Sequence, residues 1–276
     1  MPLPIISPEQ RMAQAKATVL IAAPQGYGKT YQANFLEDQE RCMFLNSEAG
    51  DLSAMGYKGP MLKVESWLQA RDYAVLLAGP DISRTDAQPY SQKHYNDCVQ
   101  AYGGEYKDDF DLIFVDSITD YSRMCFEWCK TQPQAFSEKT GKPDTRGAYG
   151  ILKGEILQWV RHMQRVSSKT LVLNCIFQNK VDEYKRENWG LQTEGAATAM
   201  ELPGIVDAVI MLDFNYDENG AILKYDDGEL QRIFRTNRDN PYGYAFKSRG
   251  GRLLPIEPAN IALIIKKMKG QVVATQ

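Results

Sequence analysis

Four short apolar runs divide the first two-thirds of the chain, and helical patterns fill the spaces between them. They are "ATVLIA" at 17–22, "CMFLN" at 42–46, "DLIFVD" at 111–116 and "TLVLNCIF" at 170–177. Each is rich in β-branched or large apolar residues and lacks the alternation of a half-exposed strand. That pattern predicts strands buried on both faces, as in a parallel sheet. Between them, 65–78 and 149–166 space their apolar residues as helices do. Strand alternating with helix implies right-handed crossovers and a doubly wound, mostly parallel α/β sheet. Further on, 206–214, 221–225 and 231–236 lie close together between Gly, Asp and Asn turns and predict an antiparallel C-terminal extension. The amphipathic 258–268 predicts a closing helix. A single domain is expected over 1–276, its core at about 15–256 and a helix and tail at 257–276. Two polar stretches, 130–147 and 179–203, follow neither periodicity. Loops that long in compact domains are uncommon unless they are functional or mobile.

Composition narrows the class. Hydrophobic residues at 43% and charged residues at 24% exclude wholesale disorder. No apolar run approaches the roughly 18 residues that span a bilayer. The N-terminus "MPLPIISPEQ" lacks the basic start of a signal peptide. A cytoplasmic protein without membrane contact is expected. The five cysteines (Cys42, Cys98, Cys125, Cys129, Cys175) are scattered and form no CxxC pair. They read as buried free thiols in a reducing compartment rather than a metal centre. The net charge of −3 excludes a uniformly basic surface, but the positive charge is bunched. From Lys142 to Lys169 six Lys/Arg face two acids, and from Arg232 to Arg252 six face one.

The chemistry begins at "IAAPQGYGKT", 21–30, where a buried strand runs into a glycine-rich loop and then a helical stretch, 30–40. That context marks a phosphate-binding loop, although Ala23 stands where the usual pattern begins with glycine. Gly26 and Gly28 let successive N–H groups converge on one concavity. Ala23, Pro24, Gln25, Gly26, Tyr27, Gly28, Lys29, Thr30 and Tyr31 are the candidate cradle for ATP. Lys29 would reach the β/γ-phosphates, and the Thr30 hydroxyl would help bind Mg²⁺. Asp116, a carboxylate ending a buried strand, is the second magnesium candidate. Glu48, just past the strand that follows the loop, can orient an attacking water.

In their order, "MFLNSEAG", "DLIFVDSITDY", "LVLNCIFQNK" and "YAFKSRGGRLLPI" resemble the core of RecA-type recombinases, and with the loop they span 17–252. The resemblance implies a RecA-like P-loop NTPase fold in which Glu48 polarises water and Asp116 with Ser117 forms the magnesium strand. It also implies that Gln178 senses the γ-phosphate ahead of a DNA-binding loop, and that Lys247 and Arg249 reach the nucleotide of a neighbouring subunit. The size, the "LPG" before "IVDAVIMLD" and the "KSRGGRL" resemble compact phage-encoded RecA-core ATPases associated with single-strand annealing. The implied function is ATP hydrolysis in DNA recombination or annealing, in the cytoplasm of a bacterium or a phage-infected host. The implied partners are single-stranded DNA, further copies in a head-to-tail homo-oligomer with nucleotide at the subunit interface, and a single-strand-binding protein. The 49–110 segment is longer than a minimal core needs, and no N-terminal DNA-binding domain is recognisable.

Within the two polar stretches, Lys142, Arg146, Lys180, Lys185 and Arg186 are candidates for a DNA backbone. Tyr184 and Trp189 are candidates for stacking on bases. Two other readings stay open at this point. One is a nucleotide-dependent switch that binds a protein partner without DNA-stimulated turnover. The other is a small-molecule kinase, although no lid arginine cluster follows the loop.

Overall fold

The computed structural model describes residues 7, 15–48, 51–166, 169–181, 184–185 and 187–272. Its strands are β1 (Thr18–Ala23), β2 (Cys42–Asn46), β3 (Met61–Lys63), β4 (Leu112–Asp116), β5 (Thr170–Val181), β6 (Glu187–Leu191), β7 (Ala208–Phe214), β8 (Arg232–Arg235), β9 (Lys247–Ser248) and β10 (Ile256–Pro258). Its α-helices are α1 (Trp67–Ala78), α2 (Gln92–Tyr102), α3 (Ile118–Cys129), α4 (Thr145–Val166), α5 (Ala196–Ile205) and α6 (Ile261–Lys269). The sheet runs β10-β8-β7-β1-β5-β4-β2-β3, with β6 added to β5 and β9 to β7. From β3 to β7 the pairings are parallel. Those of β6, β8, β9 and β10 are antiparallel. This is the doubly wound, mostly parallel sheet with an antiparallel C-terminal extension.

Helical cover on both faces explains the unbroken apolar strands. Leu20 and Ala22 of β1 pack into a core shared with α1, α3 and α4. Val19, Ile21 and Ala23 face the opposite core, with Phe44, Phe114 and the α6 residues Ile261 and Ile264. Helix ends follow their capping residues. Ser66, Ser91 and Asn260 accept hydrogen bonds from the N–H groups of Gln69, His94 and Leu263.

Three expectations change. The stretch 30–40 is no α-helix: a 3-10 helix covers Thr30–Phe35 and a second covers Gln39–Arg41. The Gln39 amide takes the carbonyls of Asn34 and Leu36 that an α-helix would have used. The segment 221–225 forms isolated bridges, Tyr216 to Ile222 and Lys224 to Leu230, rather than a strand. The stretches 130–147 and 179–203 are structured. The first holds a 3-10 turn and the start of α4, and the second holds the β5–β6 hairpin and most of α5.

The 49–110 segment supplies β3, α1 and α2. Asp72, His94 and Cys98 converge there as the one metal-like grouping among the described residues. His94 Nδ1 accepts from the Tyr90 N–H at 2.9 Å, so Nε2 carries the proton and donates to Asp72 at 2.9 Å. The Nε2 bond ties α2 to α1, and the Nδ1 bond holds the connection just before α2, so both ring nitrogens are used. All five cysteines are free and buried.

Helix α6 is fixed to the sheet by charge as well as by apolar contact. The Lys267 ammonium donates to Glu257 at 2.6 Å with both side chains buried, and the other Glu257 oxygen accepts from the Leu254 N–H. Removing one member leaves an uncompensated buried charge. Lys267→Ala is expected to destabilise the fold by about 3–5 kcal/mol, while Glu257→Leu with Lys267→Met recovers most of that loss. Urea denaturation of the three proteins checks this, and equal stability of the single and double variants would contradict it.

Candidate nucleotide-binding site

The register of β1, β5 and β4 brings three chain turns to one edge of the sheet. Ala23 lies level with Ile176, and Asn46 of β2 lies level with Asp116. Beyond Ala23 the loop turns through Gly26 at φ +78° and Gly28 at φ +97°, values that L side chains rarely adopt. It delivers Lys29 and Thr30 against Asp116. The Thr30 hydroxyl donates to Asp116 Oδ2 at 2.5 Å, and the Asn174 amide donates to Asp116 Oδ1 at 3.0 Å. Asp116 is 1% exposed. Burial pushes its carboxyl above the ordinary value, opposed by the Thr30 and Asn174 hydrogen bonds and the Lys29 charge.

The Lys29 ammonium, 8% exposed, rests on the carbonyls of Ala23 and Pro24 at 3.1 and 3.0 Å. Burial lowers its pKa against the opposing pull of Asp116 and Glu48. Glu48 is set by its own N–H, which donates to Asn46 Oδ1 at 2.9 Å, and by Ser47, whose hydroxyl donates to the Asp116 carbonyl. Burial first, and the Asp116 charge second, raise the Glu48 carboxyl, while a Ser117 hydrogen bond and Lys29 oppose the rise. The Asp116–Ser117 peptide is cis.

Gln25, Gly26, Gly28, Lys29, Thr30 and Glu48 line one cavity of about 430 Å³, together with Ser53, Asp120, Arg123 and Ile176. A second cavity, about 710 Å³, shares Gly26, Gly28 and Ser53 with it and adds Tyr31, Phe35, Tyr225 and Arg232. Arg232 braces the loop by donating to the Tyr27 carbonyl at 3.0 Å. Tyr27 itself packs on Phe214, ring centroids 4.7 Å apart. The pair of cavities suits a polyphosphate in the first and a base with its ribose in the second.

The donor set fits a nucleotide with Mg²⁺. Among the described residues, the buried Lys29 ammonium bonds two main-chain carbonyls and makes no ion pair, and the buried Asn174 side-chain oxygen has no hydrogen-bond partner. Thr30 and Asp116 would hold the metal, and Lys29 with the loop N–H groups would hold the phosphates.

A family model for the AAA domain matches residues 15–249. The chain belongs to the AAA domain family. Its fold is a doubly wound, mostly parallel α/β sheet with a phosphate-loop turn after β1, that of a P-loop NTPase. Among solved structures it is similar to the crystal structure of the RadB recombinase, at 11% identity and TM-score 0.40, over 84% of this chain and 90% of that one. It is also similar to an ATPase from the type III secretion system of pathogenic bacteria, at 14% identity and TM-score 0.37, over 71% of this chain and 51% of that one. The chain therefore spans about half the length of the secretion ATPase. No curated protein matches the sequence.

Not every predicted residue joins this AAA site. Gln178 lies two residues past Ile176 and lines a separate cavity with Lys180. Lys247 pairs with Val209 at the level of Leu20, on the strand edge away from the loop. Arg249 donates to Asp207 at 3.0 Å, and Asp207 in turn accepts from the Thr18 N–H at the start of β1. Trp189, a candidate for stacking on bases, is half-buried and stacks on Phe177, centroids 5.3 Å apart. Lys142, Arg146, Lys180, Tyr184 and Lys185 are exposed, and Arg186 lies outside the described residues.

Sequence reasoning missed Asn174, Asp120, Arg123 and Arg232. Asn174 had a signal, a polar residue inside the apolar run "TLVLNCIF". Asp120 and Arg123, paired at 2.7 Å, stand three apart on the helix that follows Asp116, a spacing too common to single out. Lys29→Ala is expected to weaken ATP binding roughly 10- to 100-fold, because charge-assisted bonds to phosphate are lost. A fluorescent-nucleotide titration measures it, and unchanged affinity would remove Lys29 from the site.

Proposed function

We propose that this AAA domain hydrolyses ATP in a DNA-dependent manner, as an ATPase of recombination or single-strand annealing. The observation that carries the reading is Glu48 in one cavity with Lys29 and Thr30. A half-buried carboxylate of raised pKa at that place is suited to orient a water and take its proton. Lys29 holds the phosphate oxygens and offsets the charge that grows on them. Bound Mg²⁺ would supply further charge neutralisation at the phosphates. Arg123, half-exposed and held by Asp120 at the cavity wall, adds a cation from the same chain.

DNA dependence is supported by the run of β5. Ile176 lines the nucleotide cavity, and two and four residues on, Gln178 and Lys180 line a cavity of about 470 Å³ with Tyr149 and Lys153. One strand thus touches the phosphate end and a polar cleft that holds Lys180, Lys153, Glu194 and Tyr149. A bound strand there would be felt at the nucleotide through a few residues of paired backbone. Tyr184, 71% exposed, and Lys185 extend the same hairpin and are suited to single-stranded DNA. Lys247 pairs with Val209 at the level of Leu20 and lines neither nucleotide cavity, so it would reach a nucleotide in a neighbour's cavity rather than its own. This favours head-to-tail assembly. A single-strand-binding protein would then be a natural partner on the same DNA.

Two outcomes are expected. Glu48→Gln retains ATP binding and loses about 10²- to 10⁴-fold in turnover. Protonated Glu48 cannot accept a proton, so wild-type turnover falls as pH drops through its raised pKa, above the ordinary 4.5. Ser117→Ala removes a bond that holds this pKa down, and the acid limb moves to higher pH. A limb that stays put in Ser117→Ala counts against Glu48 as the base. Separately, single-stranded DNA accelerates hydrolysis, with log affinity falling linearly in log salt. Turnover indifferent to DNA at low salt would favour the partner-binding switch.

A further inference from the structure

A second cationic cleft lies on the helical layer and shares no lining residue with the nucleotide cavity. Its volume is about 330 Å³, and its wall is one face of α4, with Gly154, Gln158, Arg161, His162 and Arg165, facing Asp81 and Arg84 of the α1–α2 connection. Gly154, Gln158, Arg161, His162 and Arg165 belong to the basic stretch 142–169, and the ATPase reading uses none of these five. A Cβ at Gly154 would meet nothing within 4 Å, so that end of the groove is open.

The cleft is built rather than incidental. Arg84 is held by Asp81 at 3.2 Å, by the Pro89 carbonyl at 3.2 Å, and over the Tyr90 ring at 5.3 Å from its centroid. With its amide turned, Gln158 also accepts from Arg84 at 2.8 Å. Tyr90 stacks on His162, centroids 4.3 Å apart and planes 15° apart. His162 is 3% exposed, and neither ring nitrogen has a hydrogen-bond partner; the Gly79 main chain approaches without a bond of standard geometry. Burial, aided by Arg84, holds this imidazole neutral, so one N–H donor is unspent.

Arg161 and Arg165 stand four apart on the helix, both exposed, with no hydrogen bond or ion pair among the described residues. Like charges at that spacing repel. Three guanidiniums against one carboxylate leave the lining with net two positive charges. A carboxylate ligand offers two oxygens and one charge. A phosphomonoester offers three terminal oxygens and about −2, which matches the two unpaired forks of Arg161 and Arg165, the charge of the fixed Arg84 and the net charge.

We propose that this cleft is a phosphomonoester site, formed by Arg84, Arg161 and Arg165 over His162 and separate from the ATP site. Two sources carry that group: a small phosphate compound, or the 5′-phosphate end of a nucleic-acid strand.

His94 and His162 are the chain's two histidines, so ring-labelled protein gives two assignable signals. In a Lys29→Ala background, which weakens the phosphate loop, inorganic phosphate is expected to shift the His162 signal saturably and leave His94 in place. Arg161→Gln with Arg165→Gln is expected to weaken that binding at least tenfold, with the unmoved His94 signal reporting an intact fold. Arg165→Gln alone gives an intermediate loss if the pair perturbs folding. No shift at His162, or a shift that survives loss of both arginines, overturns the site. A 5′-phosphorylated oligonucleotide that competes where its 5′-hydroxyl counterpart does not assigns the site to strand ends. Failure of both to compete assigns it to small phosphates. Equal competition by both overturns the monoester.

Discussion

A buried carboxylate at the end of β4 is the constraint around which the nucleotide edge of the sheet is arranged. Asp116 keeps 1% of its surface exposed, and an unpaired charge so placed would be costly. Its donors come from separate elements: the Thr30 hydroxyl from the loop after β1, and the Asn174 amide from β5. Ser47, past β2, bonds the same residue's carbonyl through both its N–H and its hydroxyl. Four strand ends must therefore be level, and the parallel register β1–β5–β4–β2 makes them so. The β5 strand separates the two that carry Thr30 and Asp116, so a polar residue has to stand inside an otherwise apolar strand.

The same constraint places Glu48. Its main chain is tied to β2 by Asn46 and to β4 through Ser47, so its carboxylate position is inherited from the sheet rather than from a loop of its own. Its own burial first, and the Asp116 charge second, then raise its pKa. Its position and part of its proton affinity thus trace back to Asp116.

Much of this was legible along the chain because both faces of the sheet are covered. Continuous apolar runs located β1, β2, β4 and β5, and strand followed by Gly-rich loop located Lys29 and Thr30. What stayed illegible depends on contacts distant in sequence. The stretch 30–40 has helical spacing, yet Gln39 captures carbonyls within it and Gln32 bonds the main chain at Ala259 and Ile261. The hairpin of β5 and β6 looked patternless because its ordering comes from an aromatic cluster of Phe177, Trp189, Tyr242, Tyr244 and Phe246. Three of its five residues lie more than fifty residues downstream of β6.

The positions of Lys247 and Arg249 separate two residues that the resemblance treats as a pair. Arg249 is committed: its guanidinium holds Asp207 and the Gly204 carbonyl, and Asp207 also accepts the first N–H of β1. Withdrawing Arg249 toward a neighbour's phosphate would free a carboxylate that helps begin the central strand. Lys247 carries no such duty, and burial with the adjacent Arg249 lowers its pKa, so an incoming phosphate would relieve rather than break an arrangement. If copies of the chain share a nucleotide, Lys247 is the cation free to cross, and Arg249 shapes the surface from which it does so. The cation already at the cavity wall is Arg123, whose only described bond, to Asp120, can be exchanged for phosphate without disturbing a strand. If ATP binds as proposed, Arg123 would complete the charge set at the γ-phosphate within a single copy, and a neighbour's Lys247 would add to it.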